Sequence, residues 1–158
     1  PTGRPSGRAA RAHAYGGDVL WHEQGMRWSW RVMVREKNGS VDYRVRVAGR
    51  KGEQHVPPRR YLTAHQEREM SGQPDLILQL AHHIAADFRA RGERDVEVRV
   101  DAYASLNGRP PARLIDPTVD LTTVDDGIAQ AAWITPAPSS PPPRLEPAAL
   151  PVGARSVR

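Results

Sequence analysis

Cysteine is absent from the 158 residues. That excludes disulfides, thiolate nucleophiles and Cys-ligated zinc sites. Long apolar runs are absent too, and none reaches the roughly 18 residues that a membrane-spanning helix needs. No initiating Met and no signal-like apolar segment stands near Pro1, so a piece of a longer protein, or a processed one, is expected. Lysine is scarce: Lys37 and Lys51 are the two, and Arg supplies the rest of a net charge of +5 with a pI near 10.2. Such a surface suits nucleic acid, anionic lipid headgroups or acidic peptides, or reflects a coding bias toward Arg. Aromatics make up 6% of the chain, yet four are Trp, enough for a modest core.

Catalytic signatures are missing as well. His13, His22, His55, His65, His82 and His83 show neither the paired helical spacing of a zinc protease nor a 2-His-1-carboxylate pattern. No serine stands in a nucleophile elbow, and no P-loop or dinucleotide fingerprint occurs. These residues contain no stand-alone active site, and no metal ligand is assigned. His82 and His83 read as packing at the edge of a helical stripe.

What is present divides into three parts. Residues 1–14 are Gly, Pro, Ala and Arg without periodicity and read as a disordered or linker segment. Residues 15–135 carry the fold. Residues 136–158 form a Pro-rich tail, expected to be extended and disordered because it offers too little apolar surface to offset its ordering entropy.

Within the fold, Trp28, Trp30, Val32 and Val34 alternate with polar residues, as do Val41, Tyr43, Val45 and Val47 after Asn38-Gly39. Asn-Gly predicts a type I′ hairpin turn, which would pair Val34 with Tyr43, Val32 with Val45 and Trp30 with Val47, and set Arg35 against Asp42. The turn accounts for the Asn38-Gly39-Ser40 sequon without glycosylation. Gly49 to Gly52 reads as the next turn, and Pro57-Pro58 as a strand breaker. Thr63 to Gln66 fits a capping box opening a helix to about Met70. Pro74 opens a second helix with the stripe Ile77, Leu80, Ala81, Ile84 and Phe88, closed by Gly92. A strand over 96–104 turns Val96, Val98, Val100 and Ala102 to one side, and Leu114-Ile115 adds a further short strand. The class is α+β: an antiparallel sheet or small β-sandwich with one or two packed helices.

The densest signal follows that strand: Ser105-Leu-Asn-Gly-Arg-Pro-Pro-Ala-Arg-Leu-Ile-Asp-Pro-Thr-Val-Asp-Leu121. Asn107-Gly108 allows a tight turn, Pro110-Pro111 stiffens the next step, and Asp116 before Pro117 suits an Asx turn. Asp120 can accept backbone hydrogen bonds, and Arg109 and Arg113 can pair with Asp116 and Asp120. The segment is either a rigid polar corner holding the sheet edge or a face turned to a peptide or membrane partner.

This segment resembles the vitamin K-dependent gamma-glutamyl carboxylases and their bacterial relatives, the HTTM-domain proteins. So do Tyr15-Gly-Gly-Asp-Val-Leu-Trp21, Gly25-Met-Arg-Trp-Ser-Trp-Arg-Val-Met33, Tyr61-Leu-Thr63 and Gln73-Pro74-Asp75. The resemblance runs from about Tyr15 to Leu121, with a weaker echo through Trp133. It implies the β-rich, extracytoplasmic C-terminal region of a membrane enzyme that carboxylates Glu with reduced vitamin K-type quinol, O2 and CO2. No catalytic or cofactor-binding residue transfers, because the family's basic Lys lies in the membrane portion. Trp30, Ser105, Asn107, Arg109, Asp116, Pro117 and Asp120 match the motif and are assigned scaffold or docking roles. The implied partners are the membrane-helix domain and a substrate peptide, and turnover by this chain alone is not expected. The lack of Cys removes any disulfide to the membrane part.

Two other readings stay open. One is a stand-alone basic module using Arg31, Arg44 and Arg46 on the polar hairpin face against an anionic membrane surface. Nucleic acid is disfavoured there because no exposed aromatic is interleaved for base stacking. The other is a truncated remnant.

Overall fold

The computed structural model describes residues 18–23, 37–125 and 131–141. The order is helix α1 (Val19–His22), strands β1 (Lys37–Arg46) and β2 (Gln54–Val56), helices α2 (Ala64–Met70) and α3 (Pro74–Ala90), then β3 (Glu97–Leu106) and β4 (Ala112–Arg113). Single 3-10 turns cover Pro58–Arg60 and Leu121–Thr123. The strands form one antiparallel sheet in the order β2-β1-β3-β4. The class is α+β, as expected. Of the two expected forms, the single sheet is the one seen among the described residues. Trp28 to Val34 and the segments 1–14 and 142–158 lie outside them.

Local chemistry sets both main helices. Thr63 Oγ1 accepts from the Gln66 amide at 3.3 Å while Gln66 Oε1 accepts from the Thr63 amide at 2.9 Å, a complete capping box. Pro74 takes the first turn of α3, where its missing N–H costs nothing. At the other end Gly92 adopts φ 88°, and the Glu93 and Gly92 amides donate to Phe88 and Arg89 carbonyls at 3.2 and 3.0 Å, closing a Schellman motif. Between these caps Ile77, Leu80, Ala81, Ile84 and Phe88 are buried in one core with Tyr43 and Val45 of β1, Val47 just after it, Val96, and the even-numbered positions Val98 to Leu106 of β3. Tyr43 fastens the two layers, donating from its hydroxyl to the Ile77 carbonyl at 2.9 Å.

The Asn38-Gly39 hairpin turn is not formed. Both residues lie inside β1, neither has a positive φ, and β1 pairs without interruption with β3 from Lys37↔Leu106 to Arg46↔Glu97. The glycine serves a close approach instead. A Cβ on Gly39 would sit 2.2 Å from the Ser71 carbonyl oxygen, where the α2–α3 turn lies on the sheet. β1 instead turns into β2 through Gly49 and Gly52, at φ 80° and 84°, as those glycines suggested. Pro57 and Pro58 then end β2.

The second Asn-Gly is the turn. Asn107 and Gly108 have φ of 51° and 74°, the two positive values that type I′ requires, and the Arg109 amide returns to the Leu106 carbonyl at 3.1 Å. The short strand that follows is Ala112–Arg113, two residues earlier than expected. Leu114 and Ile115 are buried beyond it, Ile115 in an isolated bridge to Ile134.

Candidate functional site

The Ser105–Leu121 segment wraps the β3 edge of the sheet. Ser105 Oγ donates to the Arg109 carbonyl at 2.6 Å, bracing the turn across its neck. Arg109 Nε reaches the Ser140 carbonyl at 2.9 Å, so the chain beyond Thr135 lies along this corner, with Ala137 half-buried against the core. Asp116 Oδ1 accepts from the Thr118 amide at 2.9 Å and its hydroxyl at 2.7 Å, an Asx turn. Those bonds hold the Asp116 carboxyl below its ordinary pKa. Asp120 Oδ1 accepts from the Thr122 amide and the Val98 amide, both at 3.0 Å, and Oδ2 accepts from the Thr122 hydroxyl. β4 covers β3 only at Tyr103 and Ala104, so the Asp120 carboxylate acts as a ladder partner where the strand has ended.

The expected pairing of Arg109 and Arg113 with Asp116 and Asp120 does not occur. Arg113 is opposite Tyr103 in the ladder, which places it on the outer face. There its guanidinium lies 4.8 Å from the Tyr103 ring centre and 3.0 Å from Asp101 Oδ1. Arg44 is committed too: Asp101 lies 2.9 Å away, Glu53 3.2 Å, and its guanidinium donates to the Pro117 carbonyl at 3.0 Å. The polar hairpin face is therefore an ion-pair lattice with Arg99 and Glu97. Arg31 and Trp30 fall outside the described residues.

The structure thus brings Ser105, Arg109, Asp116, Pro117 and Asp120 onto one brace, with Asn107 exposed at the turn. The neighbouring segment 131–135, bridged to Ile115 through Ile134, completes it. The Thr135 amide donates to the Leu114 carbonyl at 3.0 Å and the Asp116 amide to the Trp133 carbonyl at 3.0 Å. The Trp21 indole donates to the Thr135 carbonyl at 2.8 Å. His82, as a packing residue, holds the 3-10 turn through the Leu121 carbonyl at 2.9 Å.

A buried charge cluster went unread in the sequence. Lys37 Nζ lies 3.0 Å from Glu23 Oε1, 2.6 Å from the Trp21 carbonyl and 5.5 Å from the Trp21 ring centre. The two charged side chains are only 3% and 9% exposed. Parity was the available signal: Lys37, Gly39, Val41, Tyr43 and Val45 share the inward face once Asn38-Gly39 is read as strand. His22 beside this cluster has its pKa lowered, chiefly by burial.

A cleft of about 260 Å3 adjoins the cluster, lined by Glu23, Lys37, Asn38, Arg68, Glu69, Gly72 and Gln73. This charged and polar lining does not fit the apolar ring of a quinol. Among the described residues no group of three or more His, Cys, Asp or Glu could hold a metal ion. No helix among them is long and apolar enough to cross a membrane.

Compared with known families, residues 9–140 match the vitamin K-dependent gamma-carboxylase lumenal domain. The chain belongs to that family. No curated protein and no solved structure matches it. A gamma-carboxylase lumenal domain is extracytoplasmic by description, in agreement with the location that the sequence motifs implied.

Proposed function

We propose that this lumenal domain is the scaffold of a gamma-carboxylase-type membrane enzyme, without turnover of its own. In this reading the quinol, O2 and CO2 chemistry belongs to a membrane-helix portion on which the domain sits. The observation that carries the reading is the use made of the motif corner. Ser105, Arg109, Asp116 and Asp120 each make internal bonds, to the turn at Arg109, the chain at Ser140, the Thr118 turn and the β3 edge at Val98 respectively. A corner so committed supplies rigidity, the property a docking platform needs.

One observation favours a second role, capture of a substrate peptide. Tyr103 is 37% exposed on the outer face and is backed by Arg113, a rigid aromatic of the kind that anchors interfaces. The experiment has two arms. The chain alone, given reduced vitamin K, O2, bicarbonate and a Glu-containing peptide, should form no quinone epoxide, and epoxide formation would overturn the scaffold reading. In the enzyme that carries this domain, Asp120→Ala should lower activity in step with the folded fraction, while Tyr103→Ala should leave both unchanged. Loss of peptide-dependent activity in Tyr103→Ala at unchanged stability would move the function to docking.

A further inference from the structure

Two connections meet at the end of the sheet remote from the Lys37 cluster: the turn after β1 (residues 48–52) and the link from α3 to β3 (residues 91–95). The Ala48 amide donates to the Arg94 carbonyl at 3.3 Å, and Arg50 pairs with Glu93, so the two form one tip. The tip is uncovered. All residues of 48–52 are exposed, and a Cβ added at Gly49, Gly52 or Gly92 would meet nothing within 4 Å.

Its charge is one-sided once internal pairs are set aside. Arg50 is matched by Glu93 and Arg91 by Asp87, while Glu53 and Glu97 are held by Arg44 and Arg99. Arg46, Lys51, Arg89 and Arg94 are exposed and have no carboxylate partner among the described residues. Against these four stands Asp95. The rest of the outer face, by contrast, balances its charges.

We propose that this tip is a docking surface for anionic lipid headgroups. The form of the surface selects that partner. It protrudes with open space around its glycines, so it offers no groove to an extended acidic peptide. It presents no exposed aromatic for base stacking; the large exposed apolar side chain among the described residues, Tyr103, is on the outer face. Long, exposed cations on an uncovered tip match a plane of phosphate and carboxylate groups, which requires charge rather than shape. The strand ladder also fixes orientation. Arg46↔Glu97 is at the tip and Lys37↔Leu106 nine residues away, so a docked tip would stand β1 and β3 on end, with the Asn107-Gly108 turn and the Lys37 cluster directed away from the surface.

The test is co-sedimentation of the chain with phosphatidylcholine vesicles with and without phosphatidylserine, at low and physiological salt. Each Lys or Arg near an anionic surface changes partition about fivefold. Lys51→Gln with Arg94→Gln should therefore lower partition roughly 25-fold, with the thermal midpoint unchanged. Arg59→Gln with Arg68→Gln removes the same charge from exposed sites off the tip and should change partition by less than about twofold. Equal losses in both pairs would mean net charge alone and overturn the assignment. So would partition insensitive to phosphatidylserine, or preferential binding of single-stranded DNA that the Lys51 and Arg94 pair abolishes.

Discussion

Replacing Asp120 tests the brace directly. Its carboxylate satisfies two backbone amides at 3.0 Å, Val98 in the half of the β3 edge that β4 does not pair with and Thr122 in the 3-10 turn. Val98 is buried in the folded protein, so its N–H loses its partner when the carboxylate is removed. An orphaned buried donor costs about 1–3 kcal/mol. Loss of the cap on the Leu121–Thr123 turn adds about 1 kcal/mol, as at helix N-termini. Asp120→Ala should therefore lose about 2–4 kcal/mol. Asp120→Asn keeps an acceptor oxygen in place and should lose less than about half of that. Urea unfolding supplies the assay: the midpoint falls while the slope stays constant, because the surface exposed on unfolding does not change. Amide hydrogen exchange should speed up at Val98 and Thr122 before it does at Tyr43. A loss in Asp120→Ala below about 0.5 kcal/mol, or equal losses in the two variants, would refute the role of the carboxylate as a ladder partner.

Gly39→Ala should destabilise by about 1–3 kcal/mol or more, since its methyl would overlap the Ser71 carbonyl at 2.2 Å; a neutral result in urea unfolding would mean that the α2–α3 turn lifts freely off the sheet. Glu23→Gln leaves the Lys37 ammonium buried without its carboxylate and should cost about 3–5 kcal/mol, while Lys37→Met with Glu23→Gln together should cost less than the sum of the two single changes. Additive losses in that cycle would show that the two charges do not act as a pair. Asp87 is held below the ordinary carboxylate range first by the Tyr61 hydroxyl and then by Arg91, so its stabilisation is present above the unfolded pKa of 3.8 and is lost as pH falls through the lower folded value. Tyr61→Phe should raise the Asp87 pKa toward 3.8 and flatten that acid limb, read by NMR titration of the side-chain carboxyl.

Local signals were legible where the chain answers to its own neighbours. The capping box at Thr63, Pro74 at the head of α3, its apolar stripe and the Gly92 terminus all depend on residues within a few positions, and each is in place. The two Asn-Gly pairs mark the boundary of that logic. Both carry the residues of a type I′ turn, yet only Asn107-Gly108 makes one. Asn38-Gly39 is stretched flat because β3 offers it a full ladder and the Ser71 carbonyl needs the space beneath it. Neither partner is within 30 positions of Gly39 in sequence, so turn chemistry alone carried no information about which would prevail.

The site shows the same division with a different consequence. The Asx turn at Asp116 and the backbone role of Asp120 follow from side chains that reach two residues along. The partners of Arg109 and Arg113 do not, because strand register decides which face an arginine occupies. Register sent Arg113 to Asp101 and Tyr103, and left Arg109 to clasp the segment around Ser140. The motif segment is thereby tied to chain far away in sequence, Pro117 to Arg44, Asp120 to Val98, Leu114 to Thr135 and Arg109 to Ser140. A motif that is dense in polar residues and yet internally satisfied marks architecture more than chemistry. The unpaired cations of the 48–52 and 91–95 tip, which no motif singled out, are where this domain has charge left to offer a partner.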